Sequence, residues 1–185
     1  RFGESLVRFR RVVVRARDAD LRMRGYLSCV LGCPYDGPIP PAGVAYLAVT
    51  LLGMGCYEVS LGVSIGVGTT LAARALVTDV GSAVGFDRTA VHFHDTRGQA
   101  LANILACLEA GVSVVDASVA GLGGCPYARG ATGNVATEDV VYMLHGLGLE
   151  TGVDLGALAQ TGDWISEQLQ RPNHSRAGLA LNLSR

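Results

Sequence analysis

Apolar residues recur along this chain with two alternating periods. Phe2, Leu6, Phe9, Val13 and Ala16 fall three or four apart with arginines on the other side, which predicts an amphipathic first helix. Met23 to Val30 alternates weakly and predicts a strand, and the Gly- and Pro-containing stretch Leu31 to Pro38 predicts a loop. Pro40 and Pro41 suit a helix start, Val44, Leu47, Ala48 and Leu51 give that helix an apolar face, and Gly53 and Gly55 stop it. Tyr57 to Leu61 predicts a second strand, Gly62 to Thr69 a glycine loop, and Leu71 to Val84 a helix weakened at Gly81. A third strand is predicted over Ala90 to Asp95. The next helix runs from Gly98 to Ala110, with Leu101, Ile104, Leu105 and Leu108 turned inward. Val112 to Ser118 predicts a fourth strand, Val140 to Leu147 a helix and Asp154 to Leu169 a last helical segment. The polar residues after Arg171 predict a frayed tail.

One helix followed by four strand–helix units predicts an α/β fold with a parallel sheet covered by helices. A closed eight-stranded barrel takes about 250 residues. Four strands in 185 residues therefore predict half of a TIM (β/α)8 barrel, about four βα units plus a C-terminal helix. Half a barrel leaves its sheet edges unpaired and its inward face uncovered, so exposed apolar surface is expected there.

Composition narrows the function classes. With a formal net charge of −1 and 49% hydrophobic residues the chain reads as a core-forming globular protein, with no basic surplus for nucleic acid. All basic residues except histidine are arginine, which hints at a bacterial source. No apolar run is long enough to span a membrane without glycine breaks or charges. The Arg-rich stretch Arg8 to Arg24 contains Asp18 and Asp20, so it reads as a surface helix rather than a transit peptide. The first residue is Arg rather than Met, which fits a fragment. Cys29, Cys33, Cys56, Cys107 and Cys125 are odd in number and fit no disulfide framework. Cys29 and Cys33 have the spacing of half a zinc site, but reduced thiols in a reducing compartment are the expectation.

Two stretches carry candidate chemistry. In His92-Phe-His94-Asp-Thr the histidines lie two apart, so on a strand both face one side and reach one site at its C-terminal end. Two imidazoles with oxygen ligands suit a divalent metal, whereas the plain alternative is two polar residues at a strand end, with Asp95 and Thr96 capping the next helix. The second stretch, Gly111 to Asp139, runs from a β-branched strand through a loop with four glycines around Cys125 to Asn134. A helix follows, with Glu138 and Asp139 in its first turn, where its dipole favours negative charge. A plain βα connection holding a buried, inert cysteine is the competing reading.

The run Gly121-Leu-Gly-Gly-Cys125-Pro-Tyr-Ala, with Gly133-Asn134 and Ala136-Thr-Glu138-Asp139 behind it, resembles the 3-hydroxy-3-methylglutaryl-CoA lyase family of metal-dependent aldolase-type TIM-barrel lyases. The likeness extends from about Glu4 to about Leu169. It implies that His92, His94 and Asn134 are metal ligands for Mg²⁺ or Mn²⁺, that Cys125 is catalytic, and that Glu138 supports catalysis. It also implies an acyl-CoA substrate, no nucleic-acid or membrane partner, and a homodimer at full length. The location implied is the cytoplasm of a bacterium, or the mitochondrial matrix in a eukaryote. Residues 1–185 would then be one partial barrel domain of the pyruvate carboxyltransferase-like type, lacking the first four βα units. The family's remaining metal-binding Asp and its catalytic Arg, both on the first strand, would be missing with them, as would a further acidic catalytic residue.

One position departs from the pattern. The family reads Leu-Gly-Asp-Thr-Ile-Gly-Val-Gly where this chain reads Leu61-Gly-Val63-Ser64-Ile-Gly-Val-Gly68. The family's Asp transfers protons, so Val63 is expected either to mark a lost acid–base group or to pack in a loop. The implied reaction is cleavage of 3-hydroxy-3-methylglutaryl-CoA to acetyl-CoA and acetoacetate, with the fragment alone expected to be inactive. The alternatives are a related barrel enzyme of the isopropylmalate or homocitrate synthase type, against which the Gly-Gly-Cys-Pro-Tyr run argues, and a non-catalytic half-barrel that pairs with another chain.

Overall fold

The computed structural model describes residues 2–124 and 133–183, and elements are counted among these. In chain order they are α1 (Phe2–Asp18), β1 (Met23–Ser28), α2 (Pro41–Met54), β2 (Cys56–Val63), α3 (Thr70–Val84), β3 (Thr89–Phe93), α4 (Ala100–Glu109), β4 (Val114–Asp116), α5 (Thr137–Gly146), α6 (Leu155–Gln168) and α7 (Arg176–Leu183). Short 3₁₀ turns lie at Phe86–Arg88 and Val119–Gly121. The four strands form one parallel sheet in the order β1-β2-β3-β4, as strand–helix alternation predicts. No helix among the described residues is long and apolar enough to cross a membrane.

Strand alternation sorts this sheet into two chemically opposed faces. Val59, Leu61, Val63, Val91 and Phe93 point toward the helices. There they form the core with Val44, Ala48 and Leu51 of α2, Ala73, Leu76, Val77 and Val80 of α3, and Ile104 and Cys107 of α4. α3 can lie close to the following turn because residue 81 is glycine: a Cβ there would sit 2.4 Å from the Phe86 ring. The other face carries Arg24, Tyr26, Glu58, Ser60, His92 and Asp116, brought side by side by the pairs Arg24↔Glu58, Tyr26↔Ser60 and His92↔Asp116.

That second face is concave. In a flat sheet β1 and β4 would lie about 14 Å apart, three strand spacings. Yet Arg24 Nη1 on β1 donates to both oxygens of Asp116 on β4, at 2.7 and 2.9 Å. Only a sheet curled toward its polar face brings them together, and this is the curvature of a barrel wall.

Four expectations need correction. The uncovered concave face is mainly polar and charged rather than apolar; apart from Tyr26, exposed large side chains such as Val7, Phe9 and Val12 on α1 lie elsewhere. Val63 is the last residue of β2, pairs with Phe93 and is buried in the helix-side core, so it is neither a loop residue nor turned toward the concave face. The fourth strand is confined to Val114–Asp116. The tail is not frayed: Ser175 is fully buried and α7 follows it. Asp139 anchors this helix, accepting from Ser175 Oγ at 2.7 Å and from the Ala177 N–H at 2.7 Å. Asn182 Nδ2 adds a bond to Ala159 O of α6 at 3.2 Å.

Candidate metal and catalytic site

β3 delivers the two histidines. His92 lies within the strand on the concave face, and His94 follows just past its C-terminal end. Their ring centroids are 5.5 Å apart, with planes inclined by 51°. The chain then returns to this point from beyond the glycine loop. Val135 N donates to Phe93 O at 3.1 Å and Asp95 N to Gly133 O at 3.3 Å, a short antiparallel pairing that sets Asn134 opposite His94. Two of the three expected metal ligands are thus cross-strand neighbours, and the third lies two positions away.

Asn134 is oriented as a ligand would be. Its Nδ2 donates to Leu122 O at 2.9 Å, which turns Oδ1 the other way, buried and with no hydrogen-bond partner among the described residues. A buried carbonyl oxygen without a donor is costly unless something positive meets it. Two neutral imidazoles and one amide oxygen fit a divalent cation in type, and they leave further positions for carboxylate or water. No cluster of three or more His, Cys, Asp or Glu side chains with metal-site geometry occurs among the described residues, so this set supplies no carboxylate of its own. Beside Asn134 opens a cleft bordered by Asp95, Thr96, Gly121, His174 and Arg176.

The polar network beneath His92 went unnoticed in the sequence. Arg24 Nε pairs with Glu58, and its Nη1 bonds Tyr26 and Asp116, while Ser60 Oγ donates to Asp116 Oδ2 at 2.7 Å. Burial alone would raise the Asp116 carboxyl, but the nearby His92 ring, the hydrogen bonds from Ser60 and Arg24, and the Arg24 charge bring it down to about 2. Burial works against the Arg24 charge as well, and the bonds to Asp116 and Glu58 more than offset it. The signal available was parity: Arg24, Tyr26, Glu58, Ser60, His92 and Asp116 sit at alternate positions of strands whose other positions are apolar.

The two acids after the glycine loop serve neighbouring elements rather than their own helix end. Glu138 is fully buried, and both its oxygens accept from the Ala120 N–H, at 2.9 and 3.0 Å. Ala120 has φ of 55°, a left-handed conformation that costs a non-glycine residue about 1–2 kcal/mol. The carboxylate holds this strained turn in place, and burial raises its pKa. α6 passes so close that a Cβ at Gly162 would lie 2.2 Å from Glu138 Oε1. Asp95, as its plain reading had it, accepts from Ala100 N at 3.0 Å at the start of α4. Cys125 lies outside the described residues. Among the other cysteines, Cys56 and Cys107 are buried, and burial pushes the Cys107 thiol up to about 12. Cys29 and Cys33 are half-buried, with Cys33 Sγ 3.7 Å from Asp36 Oδ2.

The HMGL-like family matches residues 2–165. The chain belongs to that family. It is similar to the mitochondrial hydroxymethylglutaryl-CoA lyase of Arabidopsis thaliana, with 58% identity over 97% of this chain and 38% of the relative. The 3-hydroxy-3-isohexenylglutaryl-CoA/hydroxy-methylglutaryl-CoA lyase of Pseudomonas aeruginosa is 59% identical over 96% of this chain and 59% of its own length. The crystal structure of hydroxymethylglutaryl-CoA lyase from Pseudomonas aeruginosa superimposes with a TM-score of 0.95 at 57% identity, over 99% of this chain and 61% of that one. The fold is therefore a partial TIM barrel of the HMGL-like type, and the chain spans less than two thirds of each of these relatives.

Proposed function

We propose that this chain forms part of a carbon–carbon lyase that cleaves 3-hydroxy-3-methylglutaryl-CoA to acetyl-CoA and acetoacetate. The observation that carries the reading is the antiparallel pairing of His94 with Asn134, which joins the strand histidines to the asparagine of the glycine loop. His92 Nε2, His94 and Asn134 Oδ1 are the groups we assign to a divalent cation, Mg²⁺ or Mn²⁺. Such an ion supplies Lewis-acid charge that orients an oxygen-rich substrate and offsets negative charge.

In the cleavage a base takes the proton of the tertiary hydroxyl, that oxygen becomes the ketone of acetoacetate, and the C2–C3 bond electrons pass to the acetyl-CoA enolate. An acid then protonates the enolate carbon. We assign that last proton to Cys125, three residues beyond Leu122, whose carbonyl holds Asn134. A thiol next to glycines suits proton delivery in a site closed to water. Glu138 enters as a positioning residue through Ala120 rather than as a proton carrier. The base and the anionic metal ligand are assigned to four βα units on the N-terminal side of residues 1–185, which would complete one barrel domain. Assembly of the whole protein as a homodimer belongs to the same reading.

The test joins this chain to the N-terminal segment of the Pseudomonas aeruginosa relative and follows acetoacetate release with Mn²⁺ present. We expect turnover that His94→Ala and Cys125→Ala abolish. A folded, Mn²⁺-binding chimera that releases no acetoacetate from this thioester would refute the reading.

A further inference from the structure

We infer that Asp116 is the positioning residue that fixes the ring tautomer of His92, presenting its Nε2 lone pair to the site. The inference rests on the proposed reading of His92 as a metal ligand and goes beyond it, because it names the group that makes the ligand competent. Asp116 is the register partner of His92 on the adjacent strand, so both side chains rise from the concave face at the same level. Asp116 Oδ2 lies 3.8 Å from His92 Nδ1, within charge-contact range. A neutral imidazole has one N–H, and a fixed anion facing Nδ1 favours the tautomer that puts the proton there. Nε2 is then left with its lone pair, as a metal ligand requires.

The carboxylate is well placed for this role because three hydrogen bonds from two side chains immobilise it. Arg24 Nη1 donates to Oδ1 at 2.7 Å and to Oδ2 at 2.9 Å, and Ser60 Oγ donates to Oδ2 at 2.7 Å. The same Nη1 bonds the Tyr26 hydroxyl, and the Tyr26 ring stands edge-on to His92 at 6.5 Å, with the planes at 85°. Arg24 thus braces both neighbours of the imidazole from β1, and Glu58 pairs with Arg24 in turn. A bridge that merely tied β1 to β4 would not need an oxygen turned toward a ring nitrogen.

The experiment separates orientation from support. Ring ¹⁵N NMR of the metal-free chain reports the His92 tautomer, Mn²⁺ calorimetry reports affinity, and urea unfolding reports stability. We expect the Nδ1–H tautomer in the wild type. In Asp116→Asn the amide N–H₂ can donate to Nδ1, which shifts the population toward Nε2–H and weakens Mn²⁺ binding by about 10- to 100-fold, the usual cost of losing a ligand's orienting partner. Glu58→Gln, which loosens Arg24 without touching Asp116, should lower stability and leave the tautomer as it is. A wild-type ring protonated on Nε2 would overturn the inference, and this needs no variant to fold. So would a folded Asp116→Asn chain with unchanged tautomer and affinity. If His92→Ala binds Mn²⁺ as tightly as the wild type, the metal reading of His92 fails, while the metal-free tautomer measurement still decides the part played by Asp116.

Discussion

Replacing Asp116 by Asn should cost stability at neutral pH and cost progressively less in acid. The carboxyl falls from its ordinary 3.8 to about 2 in the folded chain. A gap of under two units at about 1.4 kcal/mol each gives about 2 kcal/mol, after a discount for the 20% of the side chain that solvent reaches. The sign follows from proton linkage. A carboxyl with a depressed folded-state pKa adds stability that is fully present above its unfolded value, near pH 4, and is lost as pH falls through its folded value, near 2. Urea unfolding of wild type and Asp116→Asn between pH 7 and pH 3 is the assay. We expect a difference of about 2 kcal/mol that is flat from pH 7 to about pH 5 and narrows below about pH 4. A difference that stays constant down to pH 3, or that widens, would show that Asp116 is not held ionised by Arg24 and Ser60.

Glu138→Ala should strand the buried Ala120 N–H and cost about 1–3 kcal/mol, whereas Glu138→Gln, which keeps an acceptor, should cost less; thermal denaturation ranks the two. Gly162→Ala should destabilise by about 1–3 kcal/mol, because the added methyl would meet Glu138 Oε1, and pairing it with Glu138→Ala should recover part of that loss. Asn134→Ala should lower Mn²⁺ affinity measured by calorimetry by about tenfold or more, and should also cost about 0.5–1.5 kcal/mol of stability through the lost bond from Nδ2 to Leu122 O. Val63→Ala should lower stability by about 1–2 kcal/mol in urea unfolding, as for any well-packed core valine.

What was legible in the sequence is what repeats. The apolar stripes of α2, α3 and α4 and the alternation of strand and helix segments announced a parallel sheet under helices, and the register agrees. What was missed depends on parity or on distant partners. Val63 continues the series Val59, Leu61, Val63 on the helix face, so extending β2 by two residues reverses the side on which it was sought. α7 shows no strong apolar stripe. It is held by Asp139, Ser175 and Asn182 through polar bonds to α5 and α6, which no local period reveals. The network of Arg24, Glu58, Ser60 and Asp116 joins residues from three strands and becomes visible only when the sheet curls.

The arrangement gives the two parts of the candidate site different supports. His92 belongs to a strand, and Asp116 and Tyr26 on either side of it are both tied to Arg24, so its position depends on the sheet as a whole. Asn134 belongs to the far stem of the glycine loop, and its position depends on bonds between the two stems. Asn134 Nδ2 reaches Leu122 O at 2.9 Å, Ser118 N reaches Val135 O at 3.1 Å, and Thr137 N reaches Ser118 O at 2.9 Å. Glu138 clamps Ala120 on the near stem from the first turn of α5, and Asp139 beside it holds the start of α7. The stems on both sides of residues 125–132 are therefore fixed to each other and to β3 before the loop itself is considered. A change at Glu138 should therefore shift Ala120 and Asn134 together.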